Sequence, residues 1–287
     1  MKGDKKYIVL FLMPMILITG VFLYYPFVKG IIKSFQHQKN WFTSEFVGFD
    51  NYVRLFQDEV LRTATFNTLE LMLYVLVFQV GIALILAVMV DSIRFGKAFF
   101  KTTFFFPVVI SGAAIGLLFQ LIYDYRNGML NSILQGLGFE PVLWLTKELS
   151  LIAVAIPTVW QYVGFYFVIL LTAIMKIPND FYEAAELEGI TGIKKTLYIT
   201  MPLIWSDIKV CLILAISGSF KVFELVYIIT KGGPLNSSEV LGTYMYRATF
   251  VSENIGYGAA IGVYIVIFGV ALAMLTNRLL KRENVTY

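Results

Sequence analysis

"LMLYVLVFQVGIALILAVMV", Leu71 to Val90, carries no charged side chain from end to end. A helix needs roughly 20 mostly apolar residues to cross the hydrocarbon layer of a bilayer, and this stretch supplies them. Strands are usually much shorter. Reading outward in both directions, Tyr7–Val28, Thr102–Tyr123, Leu149–Met175 and Asn254–Asn277 are also free of charge. The 287-residue chain is 58% hydrophobic and 15% charged, against about a quarter charged in ordinary globular domains. One soluble core would have to bury all five blocks. The expectation is an all-α, polytopic membrane protein with membrane lipid around it. The net charge of +4 comes with no basic cluster, so no nucleic-acid partner is expected.

A sixth crossing is harder to see. Trp205–Thr230 is apolar but interrupted by Asp207, Lys209, Lys221 and Glu224. Lys209 is close enough to the helix start to snorkel. Lys221 and Glu224 lie three apart, so on one continuous helix they could pair. Six helices are therefore expected, near 7–30, 64–90, 101–123, 149–175, 205–230 and 254–279. The first follows Lys2, Lys5 and Lys6 and superficially resembles a signal peptide. Its apolar run is too long, and it ends in bulky aromatics rather than small residues, so it reads as a retained helix. Pro107 and Pro157 each remove a backbone donor and favour a kink. Gly112/Gly116 and Gly258/Gly262 have the spacing that lets helix backbones approach closely.

Arg94, Lys97 and Lys101 crowd the short connection after the second helix. Basic residues concentrate on the cytoplasmic side, which predicts both termini in the cytoplasm. The opposite segments carry aromatics, among them Trp41, Phe42, Phe46 and Tyr244. They suit either interfacial anchoring or docking of a soluble partner. The chain has no phosphate-cradling G-x-x-x-x-G-K-[ST] loop and no H-E-x-x-H, and Cys211 and His37 are each alone of their kind. No catalytic site, metal site or bound cofactor is expected. If transport is driven by ATP, another subunit must hydrolyse it. An independent secondary carrier or channel is the alternative.

Between the fourth and fifth helices stands "EAAELEGITG", Glu183 to Gly192. Asp180, three residues before Glu183, suits a cap and capping box. Phe181–Glu188 can make two helical turns, and Gly189 suits the left-handed terminating position. A second short helix is expected from Gly192 to about Thr200, stopping near Pro202. Ala184 and Ala185 would let another surface come close, while Glu183 and Glu186 could meet basic residues. Local physics leaves two readings open, a solvated connector or a knob fitting another protein's cleft.

The stretch resembles the cytoplasmic loop of permease subunits in bacterial binding-protein-dependent ABC importers, of MetI-like, type I fold. The loop's pattern falls on Glu183, Ala184, Ala185, Gly189, Ile199 and Pro202, with Met201 where leucine is usual. "GFDNYVRLF" (Gly48–Phe56), "FFFPVVISG" (Phe104–Gly112), "TKGGP" (Thr230–Pro234) and "GYGAAIG" (Gly256–Gly262) resemble the carbohydrate-uptake branch of that family. The resemblance implies a first helix with an extracytoplasmic segment at 1–63, and a transmembrane core at 64–282 with the coupling loop at 176–202. It also implies a bacterial cytoplasmic membrane, a second homologous permease, two ATP-binding subunits holding ATP and Mg, and an extracytoplasmic sugar-binding protein. Glu183, Ala184, Ala185, Glu186, Gly189, Ile199 and Pro202 would couple to the ATPase. For the sugar route, Gln161, Tyr162 and Phe165 combine an amide, a phenol and an apolar ring within little more than one turn. Ser219 and Val222 match sugar-contacting positions of maltose-type permeases by their distance from "GGP", and Gly218 beside them offers room. Ordinary helix packing is the competing reading for these six. An oligosaccharide is the expected cargo, with glycerol phosphate or a polyol as the alternative.

Overall fold

The computed structural model describes residues 4–37, 44–93 and 95–280. Lys2, Trp41, Phe42, Arg94 and the last residues of the expected core, Lys281 and Arg282, lie outside them. Four long apolar helices are present: α1 (Leu10–Ser34), α3 (Glu59–Asp91), α7 (Ser150–Ile174) and α13 (Ile255–Leu279). Two bent pairs supply the other crossings. They are α4 (Lys97–Val109) with α5 (Gly112–Ile122), bent by 90°, and α9 (Gly192–Leu203) with α10 (Trp205–Ser219), bent by 76°. Shorter helices complete the chain: α2 (Asp50–Gln57), α6 (Met129–Gly136), α8 (Asn179–Leu187), α11 (Glu224–Ile229) and α12 (Leu241–Tyr246).

The chain divides into two compact units. The first comprises Met1–Leu61 and Tyr244–Ile267. In it, β1 (Gln36–His37) pairs antiparallel with β2 (Glu45–Phe46). Asn51 Nδ2 pins the connection by donating to the carbonyls of Ser34 at 2.9 Å and Gln36 at 3.0 Å. Asp58 is the hub. Its Oδ1 accepts the N–H groups of Val60 and Leu61, as an N-cap does. Its Oδ2 accepts the hydroxyls of Tyr244 and Tyr257. Arg54 lies 4.2 Å over the Tyr257 ring. Burial raises the Asp58 pKa, but the two tyrosine hydroxyls and the two backbone N–H groups outweigh it and hold the carboxyl below its ordinary value. Burial and the neighbouring Asp58 push the Tyr244 phenol up to about 12.

The second unit comprises Arg62–Thr243 and Phe268–Tyr287. Its core is an apolar cluster in which Val75, Ala83 and Ala87 of α3 meet Phe167, Leu170 and Leu171 of α7. Cys211 and Ala215 of α10 close it. Along α3 the buried residues Leu71, Val75, Gln79, Ala83 and Ala87 follow one another in steps of four. In an ideal α-helix four such steps drift by about 160° around the axis. A π-helical stretch over Val75–Val80 fits an extra residue into the turn and absorbs part of that drift. One face therefore stays on the core.

Two of the expected single helices are broken. The third crossing tightens into a 3₁₀ turn at Phe106–Val109, Ile110 becomes extended, and the chain turns sharply into α5. The fifth stops at Ser219, and Phe220–Phe223 separate it from α11. Lys221 and Glu224 therefore do not share one helical face, and no ion pair joins them among the described residues. α11 packs instead on α5. A side chain at Gly112 would collide with the Glu224 carboxylate, and one at Gly116 would begin 3.0 Å from Ile228 Cβ. Pro157, by contrast, sits in the unbroken α7. The carbonyl it leaves without an intrahelical donor is that of Ala153, and Tyr123 Oη donates to it at 3.0 Å.

Candidate functional site

The acidic loop folds as two short helices set against each other. α8 starts at Asn179, one residue after Pro178. The expected cap at Asp180 is displaced: Pro178 occupies the cap position, and Asp180 lies in the first turn, where its charge complements the helix dipole. The end of α8 matches expectation. Gly189 has φ of 76°, its N–H donates to Glu186 O, and the N–H of Ile190 donates to Ala185 O at 2.8 Å. These paired bonds form a Schellman motif, which needs a residue that tolerates positive φ. α9 starts at Gly192 and stops at Leu203, beside Pro202 as expected, with a π turn over Thr196–Thr200. Ile199 and Pro202 are both half-buried.

Within α8 the two alanines part company. Ala185 is 4% exposed and turns into the fold, so it packs the loop rather than offering a surface. Glu183, Ala184 and Leu187 face outward, with Leu187 91% exposed. Steps of three and four place these three together on one face. The glutamates differ as well. Glu186 Oε1 lies 3.3 Å from Lys195 Nζ of α9, and the same ammonium sits 5.2 Å over the Tyr182 ring. Lys195 therefore ties α8 to α9, while Glu183 points outward.

The six residues of the expected sugar route line one cavity of about 450 Å³ in the second unit. Gln161, Tyr162 and Phe165 come from α7, Gly218 and Ser219 from the end of α10, and Val222 from the break that follows. The breaks make this possible. Interrupting a helix frees backbone polar groups that must find other partners away from water, and Gln161 Nε2 donates to Ile110 O at 3.2 Å. Ser219 Oγ is used locally, donating to Ala215 O at 2.9 Å. Several wall residues were not anticipated: Gln79 of α3, Gly112 of α5, and Thr158 and Tyr166 of α7; Lys221 and Glu224 also line the wall, but without pairing to each other. Gln79 had a legible signal, since it is the only amide in Leu71–Val90.

Residues 79–284 match a protein family described as binding-protein-dependent transport system inner membrane component. The chain belongs to that family. Among relatives of this permease, the probable ABC transporter permease protein YurN of Bacillus subtilis is 36% identical, covering 95% of each chain. The arabinooligosaccharides transport system permease protein AraP of the same organism is 31% identical, covering 94% of this permease and 87% of AraP. A chain in the crystal structure of a bacterial alginate ABC transporter, in complex with its alginate pentasaccharide-bound periplasmic protein, superposes with a TM-score of 0.85. Identity there is 25%, with 96% of this permease and 95% of that chain covered. The permease has the all-α, polytopic, MetI-like ABC permease fold, with up to six spans. It is a non-catalytic component of a multi-subunit membrane importer.

Proposed function

We propose that this permease forms half of the path of an ATP-driven oligosaccharide importer and couples to a cytoplasmic ATPase through the α8–α9 loop. The observation that carries the reading is the pairing of two features in one unit. A cavity of amides, hydroxyls and aromatic rings lies among α3, α7 and α10, and an outward-facing Glu183–Ala184–Leu187 surface follows directly on α7. The cavity's chemistry fits sugars, whose hydroxyl edges need hydrogen bonds and whose C–H faces pack on rings. The arabinooligosaccharide relative and the alginate importer support the cargo class. Lys221 and Glu224 contribute opposite charges to the wall, which favours a neutral sugar over a glycerol phosphate.

The full assembly comprises a second homologous permease, two ATP-binding subunits carrying ATP and Mg, and an extracytoplasmic sugar-binding protein. The ends of the permease lie in the cytoplasm, so the α8–α9 loop faces the ATPase. Closure of the ATPase pair pulls on that loop and shifts the crossings between inward-open and outward-open populations. Cross-linking tests the docking. Cys211, the only cysteine of the chain, is buried, so a Leu187→Cys variant presents one accessible thiol. It should cross-link to the co-expressed ATPase, with protection when ATP closes the complex. A thiol that labels fully with a soluble maleimide and never captures the ATPase contradicts the docking.

A further inference from the structure

Three of the polar side chains in the cavity wall are engaged within the protein. Gln161 bonds Ile110, Thr158 bonds Val154, and Ser219 bonds Ala215. Gln79 differs. It is 2% exposed, it lines the cavity, and its side chain has no hydrogen-bond partner among the described residues. It is not sealed away either, since the only wholly buried polar side-chain atom left unsatisfied belongs to another residue of the described chain. The amide's remaining access is therefore into the cavity.

An amide buried in apolar surroundings without a protein partner is costly, and such a group calls for an explanation. Its position is also a product of backbone geometry. The π stretch over Val75–Val80 keeps Gln79 on the buried face with Val75 and Ala83, and π turns recur at functional sites. The same stretch packs against α7 and α10, which carry the rest of the wall.

We propose that Gln79 is a sugar-binding residue of the translocation cavity, and that α3 is a third wall of the site facing α7 and α10. The proposal rests on the oligosaccharide-importer reading above. A primary amide offers a carbonyl acceptor and two N–H donors side by side. Neighbouring hydroxyls of a neutral sugar present the complementary donor and acceptor. Between cargo molecules water satisfies the amide, and the sugar replaces that water with hydrogen bonds of equal kind. An aliphatic or anionic cargo would leave the amide worse matched.

Gln79→Met tests this, because methionine keeps the length and helix preference of glutamine and removes only the polar head. The complete complex is reconstituted in proteoliposomes with labelled arabinotriose, maltotriose and raffinose, and the sugar that the wild type carries is used for the comparison. The variant should assemble in normal yield and melt at the same temperature or higher. Its apparent KM for uptake should rise about 3- to 10-fold, the worth of one or two neutral hydrogen bonds. An unchanged KM with unchanged maximal uptake overturns the assignment. So does a lower melting temperature with unchanged KM, because the amide would then have a structural partner. A wild-type complex that carries none of the three sugars overturns the oligosaccharide reading, and the Gln79 assignment falls with it.

Discussion

Glu183 and Glu186 stand one turn apart on α8, yet among the described residues only Glu186 has a basic partner, at 3.3 Å. The two charges therefore do different work, and separate reversals distinguish them. Glu183→Arg should lower binding-protein-stimulated ATPase activity and uptake sharply while leaving the loop folded. Loss of a charge contact in a buried interface typically costs about 2–5 kcal/mol. Glu186→Arg meets Lys195 and Tyr182 and should act through loop geometry. A second change, Lys195→Glu, should restore part of the lost coupling by rebuilding the pair with reversed sign. Equal defects from both single variants, with no rescue in the double, contradict this division. Gly189 makes a separate prediction. Its φ of 76° is strained for a β-branched residue, so Gly189→Val should cost about 1–3 kcal/mol locally. Measured uptake should fall before complex yield does. Wild-type uptake by this variant would mean that the Schellman turn is dispensable.

The helices themselves are well marked in the sequence, because apolar length is enough to announce a crossing. Leu71–Val90 falls wholly inside α3, and Asn254–Asn277 matches α13 to within one or two residues at each end. Pro107 announced the first break, but its sharpness and the break after Ser219 were not legible, because their stability depends on partners far along the chain. Ile110 can leave the helix because Gln161, 51 residues later, takes up its carbonyl. Similarly, Glu224 settles against Gly112 rather than Lys221. Three of the six proposed pathway residues could be chosen from side-chain chemistry and the others from the family resemblance, whereas Gln79 needed the π turn to show its direction. The α5–α11 contact gives one prediction at this scale. Gly116→Leu must push Ile228 away, and overpacking of this kind costs about 1–3 kcal/mol. The variant complex should melt earlier than wild type, and an unchanged melting curve would contradict the close approach. Asp58 gives another. Because its folded pKa is lowered, its ionised form contributes stability above the ordinary carboxylate pKa of about 3.9. That contribution is lost as pH falls through the folded value. The stability difference between wild type and Asp58→Asn should therefore be full at pH 6 and shrink below about pH 4. A difference that stays constant across that window would show that the charge is irrelevant and that only the cap matters.

On the scale of the whole molecule, what the chain contributes is geometry. It offers a largely apolar cavity carrying a few amide and hydroxyl groups, walled by α3, α7 and α10, a loop whose outer face is Glu183, Ala184 and Leu187, and no nucleotide-binding loop. Such a chain moves cargo only when another subunit supplies the energy, since a conformational equilibrium shifts only as far as a partner binds its two states differently. The most direct measurement is labelled-sugar uptake into proteoliposomes containing this permease, its homologous partner and the ATPase, with binding protein and ATP added or withheld. The account predicts uptake only when all components and hydrolysable ATP are present, and loss of uptake when any one is omitted. Uptake by this chain alone, driven by an ion gradient and indifferent to ATP, would contradict it.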